Sequence, residues 1–158
     1  MKKEKKSHKP IKIRQRKISL THSDAKPSEV TEDYWVYATR KVGKYPESTL
    51  RSGKWLVFVE SENVDKVWAK IQKAVEEGKL GGSAKVATAK SNSLAGKSKV
   101  KVICVYTYDW ADEKDVKRIR EELRKLCIKN KIPYKTDEDT LSGKYKRTGY
   151  KKISKYYE

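Results

Sequence analysis

The sequence predicts an α+β fold: an antiparallel or mixed sheet with two amphipathic helices on one face, preceded by a disordered basic arm. Three observations predict it. Short runs rich in aromatic and β-branched residues recur along the chain, as strands require. Two segments between those runs switch to helical spacing of their apolar residues. The first 32 residues show almost no apolar periodicity.

Taken in order, YWVYAT (34–39) reads as a first strand, and Tyr45-Pro46 then interrupts the pattern. KWLVFV (54–59) follows Gly53 as a second strand. Over 64–77 the apolar positions Val64, Val67, Trp68, Ile71 and Val75 fall on one helical face, with Asn63 as N-cap and Gly78 as stop. AKVAT (84–88) is a short strand, followed by a Ser-, Lys- and Ala-rich connection. VKVICVYT (100–107) is apolar and β-branched almost throughout, so it is expected at the centre of the sheet, buried on both faces. The second helix spans 112–127, with Val116, Ile119, Leu123, Leu126 and Cys127 along one side and Asp112 as its cap. Pro133 and Tyr134 mark an edge strand or turn, and the remainder is rich in Lys and Tyr. Residues 33–158 form one domain, and 1–32 are the arm.

Charge bounds the function. The chain carries 39 Lys and Arg against 21 Asp and Glu, a formal +18 over 158 residues. Within 1–20 alone there are nine basic groups (Lys2, Lys3, Lys5, Lys6, Lys9, Lys12, Arg14, Arg16 and Lys17) against Glu4. Such a chain repels itself unless a polyanion screens it, and nucleic acid repays each neutralised phosphate with a released counterion. In the body, residues 83–101 hold five lysines and no acid. Residues 129–158 hold nine basic groups and four acids, interleaved with Tyr134, Tyr145, Tyr150, Tyr156 and Tyr157. Cations beside aromatic rings suit an RNA surface. Helix 112–127, with six basic and five acidic residues, reads instead as a balanced solvated surface.

Several chemistries are excluded. The two histidines, His8 and His22, both lie in the arm, so the body has no Ser-His-Asp triad, Cys-His pair or histidine zinc site. There is no CxxC, Walker glycine loop or GxGxxG, hence no expected metal or cofactor. Cys104 and Cys127 read as small buried hydrophobes in a reducing compartment. Without a spanning apolar run or an apolar leader, the chain reads as cytoplasmic and not membrane-bound. Scarce Asn, Gln and Met beside abundant Lys point to a thermophilic source. Of the four tryptophans, Trp55 and Trp68 read as core, whereas Trp110 sits in a loop between Asp109 and Asp112.

GKWLVF (53–58), Trp68 with Ile71 and Ala74, GKLGGSAKVAT (78–88), ICVYTYD (103–109), Asp115 with Val116 and Arg118, and the Tyr134–Tyr145 segment follow one another in an order that resembles the basophilic-leukaemia-expressed protein family. The resemblance covers roughly 34–158. It implies a fold like the cap-binding translation initiation factor 4E, and it also implies a likeness to phosphothreonine lyase domains. In those lyases a lysine abstracts the α-proton and a histidine supplies the acid. Lys85 matches the lysine, and the histidine position reads Leu56. The resemblance further suggests a phosphate pocket in which Lys85, Arg40, Lys54 and Thr107 converge.

Together these readings predict a non-enzymatic RNA-binding protein of the ribosome or another ribonucleoprotein. Its contacts are the nine arm residues above and, in the body, Arg40, Lys54, Lys85, Lys97, Lys99, Lys144, Tyr145, Lys146, Arg147, Lys151 and Lys152. A phosphate-pocket protein or lyase-like enzyme using Lys85 is the first alternative, and a protein-interaction adaptor the second. The oligomeric state is left open.

Overall fold

The computed structural model describes residues 24–91, 98–143 and 154–158. Among these residues six strands and three α-helices follow one another as β1 (Trp35–Thr39), β2 (Gly53–Glu60), α1 (Val64–Glu76), β3 (Ser83–Ala87), β4 (Val100–Thr107), α2 (Glu113–Lys125), β5 (Pro133–Thr136), α3 (Asp137–Leu141) and β6 (Tyr156–Tyr157). The strands form one sheet in the order β1-β3-β4-β2-β5-β6, and every pairing is antiparallel. The expected α+β class, with both amphipathic helices on one face, is the observed one. No helix among the described residues is long and apolar enough to cross a membrane.

Strand alternation separates two faces. One row crosses all six strands, from Ala38 through Ala84, Val105, Trp55 and Tyr134 to Tyr156. It lies under the helices with Val36, Val86, Ile103 and Val57 in the adjacent row. Onto these rows α1 packs Val64, Trp68, Ile71 and Val75, and α2 packs Val116, Ile119 and Leu123, making one continuous core. The Trp55 indole N–H donates to the Val116 carbonyl at 3.0 Å and is satisfied, whereas the equally buried Trp68 indole N–H finds no partner among the described residues. Gly53 is where the Tyr134 ring passes against the β2 backbone, and a Cβ there would overlap that ring.

Local signals fare unevenly. Gly78 does end α1, with φ at +77°. Asn63 occupies the N-cap but its side chain makes no capping bond, because a short 3-10 turn (Ser61–Asn63) feeds the helix. Asp112 does cap α2, accepting from the Asp115 N–H at 3.2 Å. That helix stops at Lys125 rather than continuing to Cys127; Cys127 has φ of +71° and is exposed. It sits in the left-handed position that commonly terminates a helix, not on the apolar face. The packed body also reaches upstream of Asp33. Pro27 is buried, its carbonyl accepts the Ala89 N–H at 3.0 Å, and the Ser28 N–H donates to Asp65.

Candidate functional site

The face of the sheet opposite α1 and α2 gathers the ionisable side chains of the candidate site. In register across it lie Tyr37, Lys85, Cys104 and Leu56, and beside them Tyr106, Lys54 and Lys135. Three lysines therefore share one side of the sheet, Lys85 half-buried and Lys54 and Lys135 buried. Lys54 and Lys135 are cross-strand neighbours roughly 5 Å apart, and Lys85 stands two strands and one alternation away, roughly 12 Å at the backbone. That spread suits two or more linked phosphates better than one isolated phosphate.

Each lysine is positioned differently. The Lys54 side chain, 9% exposed, donates to Asp137 Oδ1 at 2.6 Å and to Thr140 Oγ1 at 3.1 Å. The second Asp137 oxygen accepts from Ser52 Oγ at 2.6 Å. Those acceptors come from α3, a five-residue helix capped by Thr136, whose Oγ1 accepts the Asp139 N–H at 3.0 Å. Lys135 is buried, and that burial together with the Lys54 charge pushes its pKa below the ordinary lysine value. Lys85 is half-buried, with its ammonium 3.9 Å from the centroid of the Trp35 ring, a cation–π contact. Next to it Tyr37 is 61% exposed.

Between the lysines sits Cys104, buried on this open face rather than in the core under the helices. Burial raises its thiol pKa, and the charges of Lys85 and Lys54 offset only part of that. A thiol held protonated is a poor nucleophile. Alkylation of the native protein is therefore expected to label Cys127 and leave Cys104 unmodified until denaturant is added. Mass spectrometry of peptides before and after unfolding reads this directly, and Cys127→Ser is expected to remove the native-state label.

Of the expected site residues, Lys54 and Lys85 share the open face. Arg40 does not join them. Its guanidinium donates to the carbonyls of Leu80 (2.7 Å), Gly81 (3.3 Å), Val42 (3.3 Å) and Lys44 (3.5 Å), so it holds the turns at the end of β1 and before β3. Thr107 points to the helix side, bonded to the Tyr134 hydroxyl at 2.6 Å. The expected convergence of four groups thus reduces to two. Tyr134 is fully buried, so it is a core ring and not a stacking surface. Trp110 is half-buried against the core, with the Lys155 ammonium 3.9 Å from its ring centroid. Lys99 is exposed at the mouth of β4. Lys2, Lys3, Lys5, Lys6, Lys9, Lys12, Arg14, Arg16, Lys17, Lys97, Lys144, Tyr145, Lys146, Arg147, Lys151 and Lys152 lie outside the described residues.

Residues 4–140 match the family model of the basophilic leukemia-expressed protein Bles03. The chain belongs to this family. Its fold is also that of known structures. Ascaris suum eIF4E-3 in complex with the m7G cap superposes with a TM-score of 0.52 at 20% identity, over 78% of this chain and 67% of that one. Schistosome eIF4E complexed with m7GpppG and 4E-BP gives 0.51 at 18%, over 68% and 59%. C. elegans eIF4E-3 with the 4E-binding protein Mextli and a cap analog gives 0.48 at 24%, over 59% and 54%. This Bles03-family chain spans about half to two thirds of the length of those proteins, and the superpositions on the Ascaris and schistosome proteins establish an eIF4E-like fold.

Proposed function

We propose that the protein binds RNA without acting on it chemically, holding phosphates on the open sheet face with Lys85, Lys135 and Lys54 and a base or ribose against Tyr37 and Trp35. The carrying observation is the register that sets three lysines on one face of the sheet, beside an aromatic ring that is 61% exposed. An excess of 18 positive charges supplies the long-range attraction. Two neighbours of the same fold are complexes with m7G cap and m7GpppG, which supports a nucleotide ligand for this chain. The nine basic groups of 1–20 would add phosphate contacts, and the setting would be a cytoplasmic ribonucleoprotein such as the ribosome.

The elimination reading needs an acid facing Lys85. On β2 the residue in that row is Leu56, which has no proton to give, and the other two members of the row, the Tyr37 phenol and the Cys104 thiol, are not the histidine those lyases use. Binding therefore fits this face better than lysis.

Fluorescence anisotropy of the full chain with a 5′-phosphorylated single-stranded RNA, titrated over a range of KCl, tests the proposal. Affinity should fall steeply with salt. Lys85→Ala should weaken binding about fivefold or more and lower the salt slope by about one. If Lys85→Ala changes neither, and removal of residues 1–20, which spares the packed Pro27 and Ser28, abolishes binding, the open face is not the RNA site. Phosphate release from a phosphothreonine peptide, lost in Lys85→Ala, would instead establish the enzyme.

A further inference from the structure

On the other side of the molecule β2 loses its second neighbour halfway along. β4 pairs with the whole of β2, from Gly53 to Glu60, but β5 pairs only with Gly53, Lys54 and Trp55. The reason is in the sequence. The Asp137 N–H donates to the Ser52 carbonyl at 2.9 Å, which sets the residues whose peptide groups face β5 as Ser52, Lys54 and every second one thereafter. The next partner on β5 is Pro133, which has no N–H to give, so the ladder stops there. Beyond it Arg120 draws the Ile128 and Asn130 carbonyls toward α2, at 2.9 and 2.7 Å, and the chain diverges from β2.

The divergence opens a cleft of about 390 Å³ beside the tail of β2. By the same alternation the N–H and C=O groups of Phe58 and Glu60 face into it, and Ser61 turns back toward β4 by donating to the Lys99 carbonyl at 2.7 Å. No strand among the described residues pairs with them. Val67, Ile128 and Ile132 give the cleft apolar walls, and the exposed Lys66, Lys70 and Lys129 stand around it against the single acid Glu60.

We infer that this cleft accepts an extended acidic peptide of a partner protein, added as a further antiparallel strand on the free edge of β2. An unpaired edge offers alternating donors and acceptors at strand spacing, which only another peptide backbone matches in both senses. Alternate side chains of the guest would meet the apolar walls, and acidic residues between them would meet the lysines. A second copy of this chain fits poorly, since a two-fold edge pairing would set these lysines against their own counterparts. The residues 1–20, at a net +8, meet the same repulsion. An RNA phosphate has no donor for the Phe58 and Glu60 carbonyls.

The test uses the full chain and a capped hexapeptide alternating glutamate and valine. Amide hydrogen exchange should slow at least tenfold at Phe58 and Glu60 at saturating peptide. Lys66→Glu combined with Lys70→Glu should weaken binding at least tenfold; both side chains are exposed, so the fold is retained. A peptide N-methylated at alternate residues should lose binding, because it keeps its charge but not its donors. The inference is overturned if the peptide binds without protecting those two amides, or if the N-methylated or a lysine–valine peptide binds equally well. It is also overturned if oligouridylate protects them in the peptide's place, since the cleft would then be an RNA surface.

Discussion

Arg120→Met is expected to destabilise the fold by roughly 3 to 5 kcal/mol, a large fraction of the roughly 5–15 kcal/mol that holds a typical domain together. Arg120 is fully buried on α2, and its donors go to main-chain carbonyls: Nε to Glu158 at 3.0 Å, Nη1 to Ile128 at 2.9 Å and Nη2 to Asn130 at 2.7 Å. Burial pushes its pKa down, but a guanidinium remains charged at any ordinary pH. Methionine preserves much of the volume and supplies no donor. The Ile128 and Asn130 carbonyls would lose a buried partner, at about 1 to 3 kcal/mol each. The Glu158 carbonyl would keep its bond from the Ile132 N–H at 2.7 Å. Urea unfolding should show a lower midpoint at an unchanged slope. Arg120→Lys should fall between the two, since one ammonium cannot span three acceptors that a planar fork reaches together. Loss confined to faster exchange around 128–132, with global stability intact, would show that the residue orders only the loop.

The same residue shows where the sequence was legible. Position 120 lies four residues after Val116 and three before Leu123, on the apolar stripe that correctly predicted the helix. Counting charges along α2 gave a solvated surface, whereas the period placed one arginine inside. The periodicity was the better guide, because it reports direction and a charge count does not. Strand identities were legible for the same reason, since β1, β2 and β4 are dense in β-branched and aromatic residues and β3 alternates Ala84 and Val86 inward. The open face was not. Its composition depends on β5 pairing with β2, about 80 residues away, and nothing local in KWLVF or PYKT announces that Lys54 and Lys135 stand side by side. Trp35 was likewise invisible as the platform for Lys85 until β1 was seen to pair with β3. α3 is too short to carry a period, although Thr136 followed three residues later by Asp139 is a capping signal that was there to be read. Cys127 was misplaced because a helical pattern cannot mark its own last turn.

Asp137→Asn should weaken the resting protein and strengthen its hold on phosphate, two opposite effects from one lost charge. Lys54 is nearly buried and leans on Asp137, so the amide would leave a cation without its counterion. Breaking a fully buried pair typically costs about 3–5 kcal/mol; Asp137 is 28% exposed, and roughly 2 kcal/mol is the fitting expectation. The released ammonium then faces the same side as Lys135 and Lys85 with one competing anion fewer. Tripolyphosphate should bind about tenfold tighter, a gain of about 1.4 kcal/mol. At a hundredfold excess over its dissociation constant it should return about 2.7 kcal/mol of stability, enough to offset the loss. The double substitution Lys54→Met with Asp137→Asn separates the causes. Removing both charges should restore much of the stability, as apolar replacement of a buried pair often does, and abolish the gain in affinity. Isothermal titration with tripolyphosphate and thermal unfolding, with and without it, give both quantities. Equal affinities in the wild-type and Asp137→Asn proteins would confine Lys54 to a structural role and leave Lys85 and Lys135 as the open face's only anion contacts.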